Sequence, residues 1–326
     1  MGKVKGIALF SGGLDSSLAC KVIAEQGIEV KGVTFETPFF NAARARAAAR
    51  LIALPLAVLD ITEEHLRMLH APRYGYGRNM NPCIDCHTLM LKIAGQRMEE
   101  EGADFLFTGE VLGQRPMSQG RQSLAVVAKN AGYPDRIIRP LSALLLPETG
   151  PEREGKVDRA RLLDIQGRGR KRQMEMAARY GITSYPPPAG GCLLTDPLFT
   201  KRLRDLFDNH PGHGVRDIEL LKLGRHFRLD ATTKAVVGRN AADNGAIERL
   251  VLAGDALLRV SQFPGPSALV PGGGNQETRL LAARLCARYS DAPKDRAVSV
   301  QCFKDGAATA LWVQALTAEE SAGLIL

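Results

Sequence analysis

The sequence has 326 residues, of which 45% are hydrophobic and 24% charged, an ordinary globular composition that argues against a disordered protein. Its formal charge of +8 favours a polyanionic partner such as RNA, and six cysteines are too few for a disulfide framework at this length. The longest apolar runs, such as residues 141–147, fall well short of the roughly 20 residues that cross a bilayer, so no membrane association and a cytoplasmic location are expected.

In chain order, residues 5–10 read as a short buried strand, followed by a glycine-serine turn and a helix over 16–26 that ends at Gly27. Residues 28–35 read as a second strand, 41–54 as an alanine- and arginine-rich helix, and 56–61 as a third strand. A helix over 62–70 has Thr62 as its expected N-cap. Residues 73–85, rich in Gly, Asn, Pro and Tyr, read as a functional loop. A helix then starts at Cys86 or His87, and 104–108 is a fourth strand, with a further strand at 137–138. Strands alternating with helices predict an α/β fold, a doubly wound parallel sheet. Residues 147–155 look like a linker, and 173–180 like a helix. Residues 185–192 look like a stiff proline-rich loop. After about residue 199 the texture becomes α+β, with hairpins around 230–233 and 304–306 and an amphipathic helix over 276–289. Two domains, 1–199 and 200–326, are expected.

Ser11-Gly12-Gly13-Leu14-Asp15-Ser16 lies between the first strand and the first helix. Two glycines let the backbone approach an anion, and the helix N-terminus points amide groups at it. With no Walker lysine and no GxGxxG, neither a P-loop NTPase nor a standard dinucleotide site fits. Asp15 is a candidate Mg²⁺ ligand. These residues resemble the SGGxDS signature of the PP-loop ATP pyrophosphatases. The resemblance implies ATP cleaved between its α and β phosphates, with the substrate carbonyl adenylated before a nucleophile displaces AMP. It also implies adenine at the carboxyl ends of the first strands, near Leu9, Thr34 and Phe35.

Cys83-Ile84-Asp85-Cys86 precedes a helix, and Cys192 follows two glycines. Three sulfurs on two loops predict a sulfur- or metal-handling centre above the carboxyl edge of the sheet. A [4Fe–4S] cluster with one open iron, a zinc site completed by His87, a redox disulfide, and a persulfide on Cys192 without metal are the competing readings. Cys20, Cys286 and Cys302 read as bystanders. Within the PP-loop group the tRNA thiolases pair the loop with catalytic cysteines. Asn81-Pro82-Cys83 is similar to the MnmA type. Thr108-Gly109-Glu110, Gly113-Gln114, Ser118-Gln119 and Arg139-Pro140-Leu141 resemble the ThiI type. The resemblance implies an ATP-dependent tRNA thiouridine synthase fed by sulfide or a carrier protein. Amine transfer by another PP-loop enzyme, and a non-catalytic RNA-binding adaptor, are the alternatives.

Val237-Gly238-Arg239-Asn240, Asn244, 263–267 and 287–290 resemble the NFACT-R RNA-binding domain, which implies binding of tRNA or ribosomal RNA; tRNA is the expected partner. Arg225, Arg228, Lys234 and Arg239 cluster around the first hairpin, and Arg168, Arg170, Lys171 and Arg172 form a basic run. These eight are the candidate RNA contacts.

Overall fold

The computed structural model describes residues 3–115, 117–185, 187 and 191–326. Pro186, Pro188, Ala189 and Gly190, from the predicted proline loop, lie outside the described residues. Two compact units meet between Thr195 and Asp196. The division comes earlier than the expected 199/200 because a helix of the second unit starts at Pro197, with the Asp196 side chain accepting from Phe199 N.

The first unit runs β1 (Lys5–Leu9), α1 (Leu14–Ala24), β2 (Glu29–Glu36), α2 (Ala43–Leu51), β3 (Leu56–Asp60), α3 (Thr62–His70) and α4 (Cys83–Glu100). It continues with β4 (Phe105–Thr108), α5 (Arg121–Ala131), β5 (Ile137–Ile138), α6 (Gly150–Arg153) and α7 (Lys171–Arg179). The strands form one parallel sheet in the order β3-β2-β1-β4-β5. Alternation along each strand feeds two cores. Ala8, Phe105, Phe107 and Ile138 pack with α1, α2 and α7 on one face. Ile7, Leu106 and Ile137 pack with α4 and α5 on the other. The sheet is therefore doubly wound, and its order reverses between β1 and β4. That reversal opens a crevice at the carboxyl ends of those two strands.

Two expectations change here. The helix expected from Cys86 starts at Cys83, with Pro82 as its N-cap, because Asp85 folds the preceding loop back onto the first turn. Its carboxylate accepts from Arg73 N at 3.1 Å and Tyr74 N at 3.0 Å. The expected linker over 147–155 contains α6, whose capping box and buried Glu152 tie it into the unit.

The second unit runs α8 (Pro197–Asn209), α9 (Val215–Leu221), β6 (Arg225–Arg228), β7 (Lys234–Val237), α10 (Ala241–Arg249), β8 (Ala256–Val260) and β9 (Ala268–Val270). It ends with α11 (Gln276–Arg288), β10 (Val298–Lys304), β11 (Ala307–Val313) and α12 (Ala318–Leu324). Its antiparallel sheet has the order β11-β10-β8-β9-β7-β6. Both expected hairpins are present, while β8 and β9 between them are additional. Among the described residues, no helix is long and apolar enough to cross a membrane.

Candidate active site

The loop from Ser11 to Ser16 leaves β1 at the sheet reversal and enters α1, whose N-cap is Gly13. Two glycines are dictated by space. Gly12 has φ +74°, and a Cβ there would lie 2.6 Å from Ala45 N, at the start of α2. A Cβ on Gly109 would lie 2.4 Å from Ser16 N, so only glycine lets the β4 loop close onto the first turn of α1. The Ser16 hydroxyl donates to Gly13 O at 2.9 Å and holds the turn.

A cavity of about 470 Å³ opens over this loop. Ser11, Gly13, Asp15 and Ser16 line it, as do Leu9, Thr34, Phe35 and Gly109. The same cavity is lined by Cys83, Cys86 and Cys192. The expected phosphate loop, the expected adenine pocket and the three thiols thus face one space. Asp15 Oδ2 accepts from Gln114 Nε2 at 3.1 Å, while Oδ1 is buried without a hydrogen-bond partner. A buried carboxylate oxygen left bare is costly, and this donor fits a hard cation such as Mg²⁺.

Cys83 and Cys86 lie three residues apart on the first turn of α4, hence on one side of the helix. Leu193 N donates to Phe39 O at 3.0 Å, and Asn79 Nδ2 donates to Thr195 O at 2.8 Å. These two bonds hold the turn that carries Cys192 beside the loop ahead of Cys83. Burial pushes all three thiols up. Cys192 reaches about 11, and Cys86 is raised further by Cys192 and Cys83. A cation among them would reverse that direction. Among the described residues, no three Cys, His, Asp or Glu side chains are drawn together closely enough to hold a metal ion. The donor set suits a thiolate-bound group in type and mutual proximity, though not at ligating distance. Cys20, Cys286 and Cys302 are buried in the cores.

His87, considered as a zinc ligand, instead bonds through Nδ1 to Glu110 Oε1 at 3.0 Å. Glu110 Oε2 accepts from Arg139 Nε and Thr108 Oγ1, each at 3.0 Å. His65, buried between Phe39 and Phe40, places Nε2 at 3.6 Å from Cys86 Sγ. Thr108, Glu110 and Arg139 stood in the motifs named above and His87 as a zinc candidate, but the bonds that join them, and His65 altogether, escaped the sequence reading of the site. His65 carried no comparable signal.

Burial alone would raise the Glu110 carboxyl, but Arg139 and His87 hold it down to about 2. A depressed carboxyl stabilises the fold fully above its ordinary value near 4.5, and that stability is lost as pH falls towards 2. Wild type is expected to lose about 3 kcal/mol over this window that Glu110→Gln does not lose. Urea unfolding of both proteins at stepped pH checks this; identical pH slopes contradict it.

The candidate RNA contacts scatter. Arg168 and Lys171 are exposed, and Arg172 pairs with Asp164. Arg170 lines the cavity over the 11–16 loop rather than an outer face, with its Nε buried and without a hydrogen-bond partner. In the second unit Arg225 stacks on Tyr289 at 4.6 Å, Arg228 pairs with Asp205, and Arg239 pairs with Asp243 at 2.7 Å. Lys234, expected among the RNA contacts, is buried instead. It is 2% exposed because β7 lies inside the sheet between β6 and β9, and burial lowers its ammonium to about 8. Residues 196–326 hold 17 Lys and Arg against 15 Asp and Glu, so most of the excess positive charge belongs to the first unit.

Residues 2–145 match the family described as thiamine biosynthesis protein (ThiI), and residues 224–323 match the NFACT protein RNA binding domain. The chain is thus similar to the ThiI family over its first part and to the NFACT RNA binding domain over its last part. The tRNA-specific 2-thiouridylase MnmA of Helicobacter hepaticus is 31% identical over 163 residues, covering 44% of this chain and 47% of that protein. A probable tRNA sulfurtransferase of Thermoanaerobacter sp. (strain X514) is 30% identical over 141 residues, covering 42% of this chain and 36% of that one. The chain thus spans less than half the length of these curated relatives. A solved 4-thiouridine synthetase–RNA complex with bound ATP is 22% identical, with a TM-score of 0.39, covering 67% of this chain and 52% of that one.

Proposed function

We propose that this chain is an ATP-dependent tRNA sulfurtransferase. It adenylates a uridine carbonyl and replaces the oxygen with sulfur. The observation that carries the reading is the single cavity shared by the phosphate loop and three cysteines. The ThiI-type domain and thiolase-named relatives support it.

In this mechanism the amide groups of the loop and the α1 N-terminus hold the ATP phosphates, and Asp15 Oδ1 takes Mg²⁺. Leu9, Thr34 and Phe35 face the adenine. The uridine oxygen attacks the α-phosphorus and pyrophosphate leaves. A sulfur nucleophile then adds to the activated carbon, and AMP departs with the original oxygen. Cys83, Cys86 and Cys192 are the residues that would hold a [4Fe–4S] cluster. When bound, such a cluster supplies an open iron for exogenous sulfide. Three thiols exceed what a two-cysteine persulfide cycle needs, which favours the cluster over a persulfide on Cys192. The NFACT-type domain is assigned to tRNA binding, and sulfide or a carrier protein to sulfur supply. The whole cycle suits the cytoplasm.

Amine transfer by a related PP-loop enzyme would give the three thiols no task, and a non-catalytic adaptor would not need Asp15 bare. Mass spectrometry of tRNA nucleosides from a strain lacking the gene tests the proposal. Loss of one thionucleoside is expected, and an unchanged set contradicts it.

A further inference from the structure

The sheet of the second unit is covered unevenly. One face packs on α11 through Ala256, Leu258, Val300 and Cys302. The opposite face is covered over β7, β9 and β8, where Leu220 of α9 and Ile247 of α10 meet Val236 and Leu269. That cover stops short of β10 and β11. Register pairs Phe303 with Ala308, Gln301 with Ala310, and Ser299 with Trp312, so these six side chains share the bare side. Trp312 is 69% exposed and Phe303 42%. Trp312 is the only tryptophan in the sequence.

We propose that this bare face is a stacking platform for unpaired nucleotides of RNA. The proposal rests on the RNA-binding reading of the domain and names where the contact lies. Two exposed aromatics stand four strand positions, about 13 Å, apart. The small side chains of Ala308 and Ala310 leave a flat floor between them. Ser299 and Gln301 offer hydrogen bonds to base edges, and Arg259 is paired with Gln301 across the sheet. This is the arrangement that grips single-stranded nucleic acid through base stacking. It also suits the charge balance of the domain. With 17 basic against 15 acidic residues, and several of the former in ion pairs, phosphate attraction alone is a poor basis for binding. Burying both aromatic side chains completely would cover at most roughly 500 Å², below the roughly 800 Å² a side of a stable protein pair. A second copy of the chain is therefore a poorer occupant than a few bases.

The test uses the full chain and the emission of Trp312. Titration with a single-stranded RNA of about twelve nucleotides is expected to quench that emission, whereas a duplex of the same sequence leaves it unchanged. Trp312→Ala, read by anisotropy of labelled RNA, is expected to weaken binding by about 5- to 100-fold, with a smaller loss for Phe303→Ala. Binding that neither quenches Trp312 nor responds to either substitution overturns the platform while leaving RNA binding intact. No binding of single-stranded RNA or tRNA at all overturns both. Quenching that rises with protein concentration in the absence of RNA, with a dimer that Trp312→Ala abolishes, assigns the face to a second copy and overturns the proposal.

Discussion

Asp15→Ala is expected to lower ATP-dependent thiolation by at least about 10³-fold while leaving tRNA affinity unchanged. Removing one preorganised electrostatic group at a reacting centre typically costs about 10²–10³ in rate. A lost metal ligand adds to that. The structural basis is the asymmetry of the carboxylate. One oxygen accepts from Gln114, and the other is buried and bare. A fold gains nothing from an anionic oxygen kept this way, and under the proposed function a cation arriving with ATP would satisfy it. Pyrophosphate release measured with and without Mg²⁺ gives the readout. Wild-type turnover in the variant removes Asp15 from the chemistry, and turnover lost together with tRNA binding points to a collapsed fold instead.

Cys192→Ala is expected to reduce thiolation below detection and leave ATP binding within about twofold of wild type. The residue stands on the described side of the proline loop, where Thr195 Oγ1 donates to its carbonyl at 2.7 Å. Its side chain faces the cavity without supporting the phosphate loop, so chemistry and nucleotide binding should separate. In cluster form the variant should also bind less iron after anaerobic purification. Undiminished thiolation would remove the argument from the three cysteines. A wild-type protein that thiolates while colourless and iron-free would keep the cysteines and eliminate the cluster.

The loop over residues 11–16 was legible in the sequence as a strand-to-helix turn because its six residues sit between two strong signals, an apolar run and an amphipathic helix. The doubly wound sheet followed from the same alternation of elements. The three cysteines were legible as a group, and all three line one cavity, but the start of the helix that carries two of them was misplaced. Asn81 and Pro82 read as loop, and only the tertiary bonds of Asp85 to Arg73 N and Tyr74 N show that the helix begins at Cys83. Charge was least legible. The sequence places lysines and arginines outside by default, yet Lys234 lies on an interior strand and Arg170 lines the cavity. Ion pairs join residues far apart in sequence, such as Lys31 with Glu101 and Arg228 with Asp205, which local patterns do not reveal. The two strands between the hairpins were missed for a related reason. β9 has three residues and follows Pro264 and Pro266, too short a run to stand out from a turn.

The most direct test is reconstitution of the reaction on an unmodified tRNA transcript. Anaerobically purified protein is incubated with Mg-ATP and sulfide, and AMP and nucleosides are quantified together. One AMP and one pyrophosphate are expected for each thiouridine formed, with neither thiouridine nor AMP when ATP is replaced by an analogue uncleavable between the α and β phosphates. Thiouridine formed without ATP cleavage, or AMP formed with an amine rather than sulfur entering the base, would contradict it.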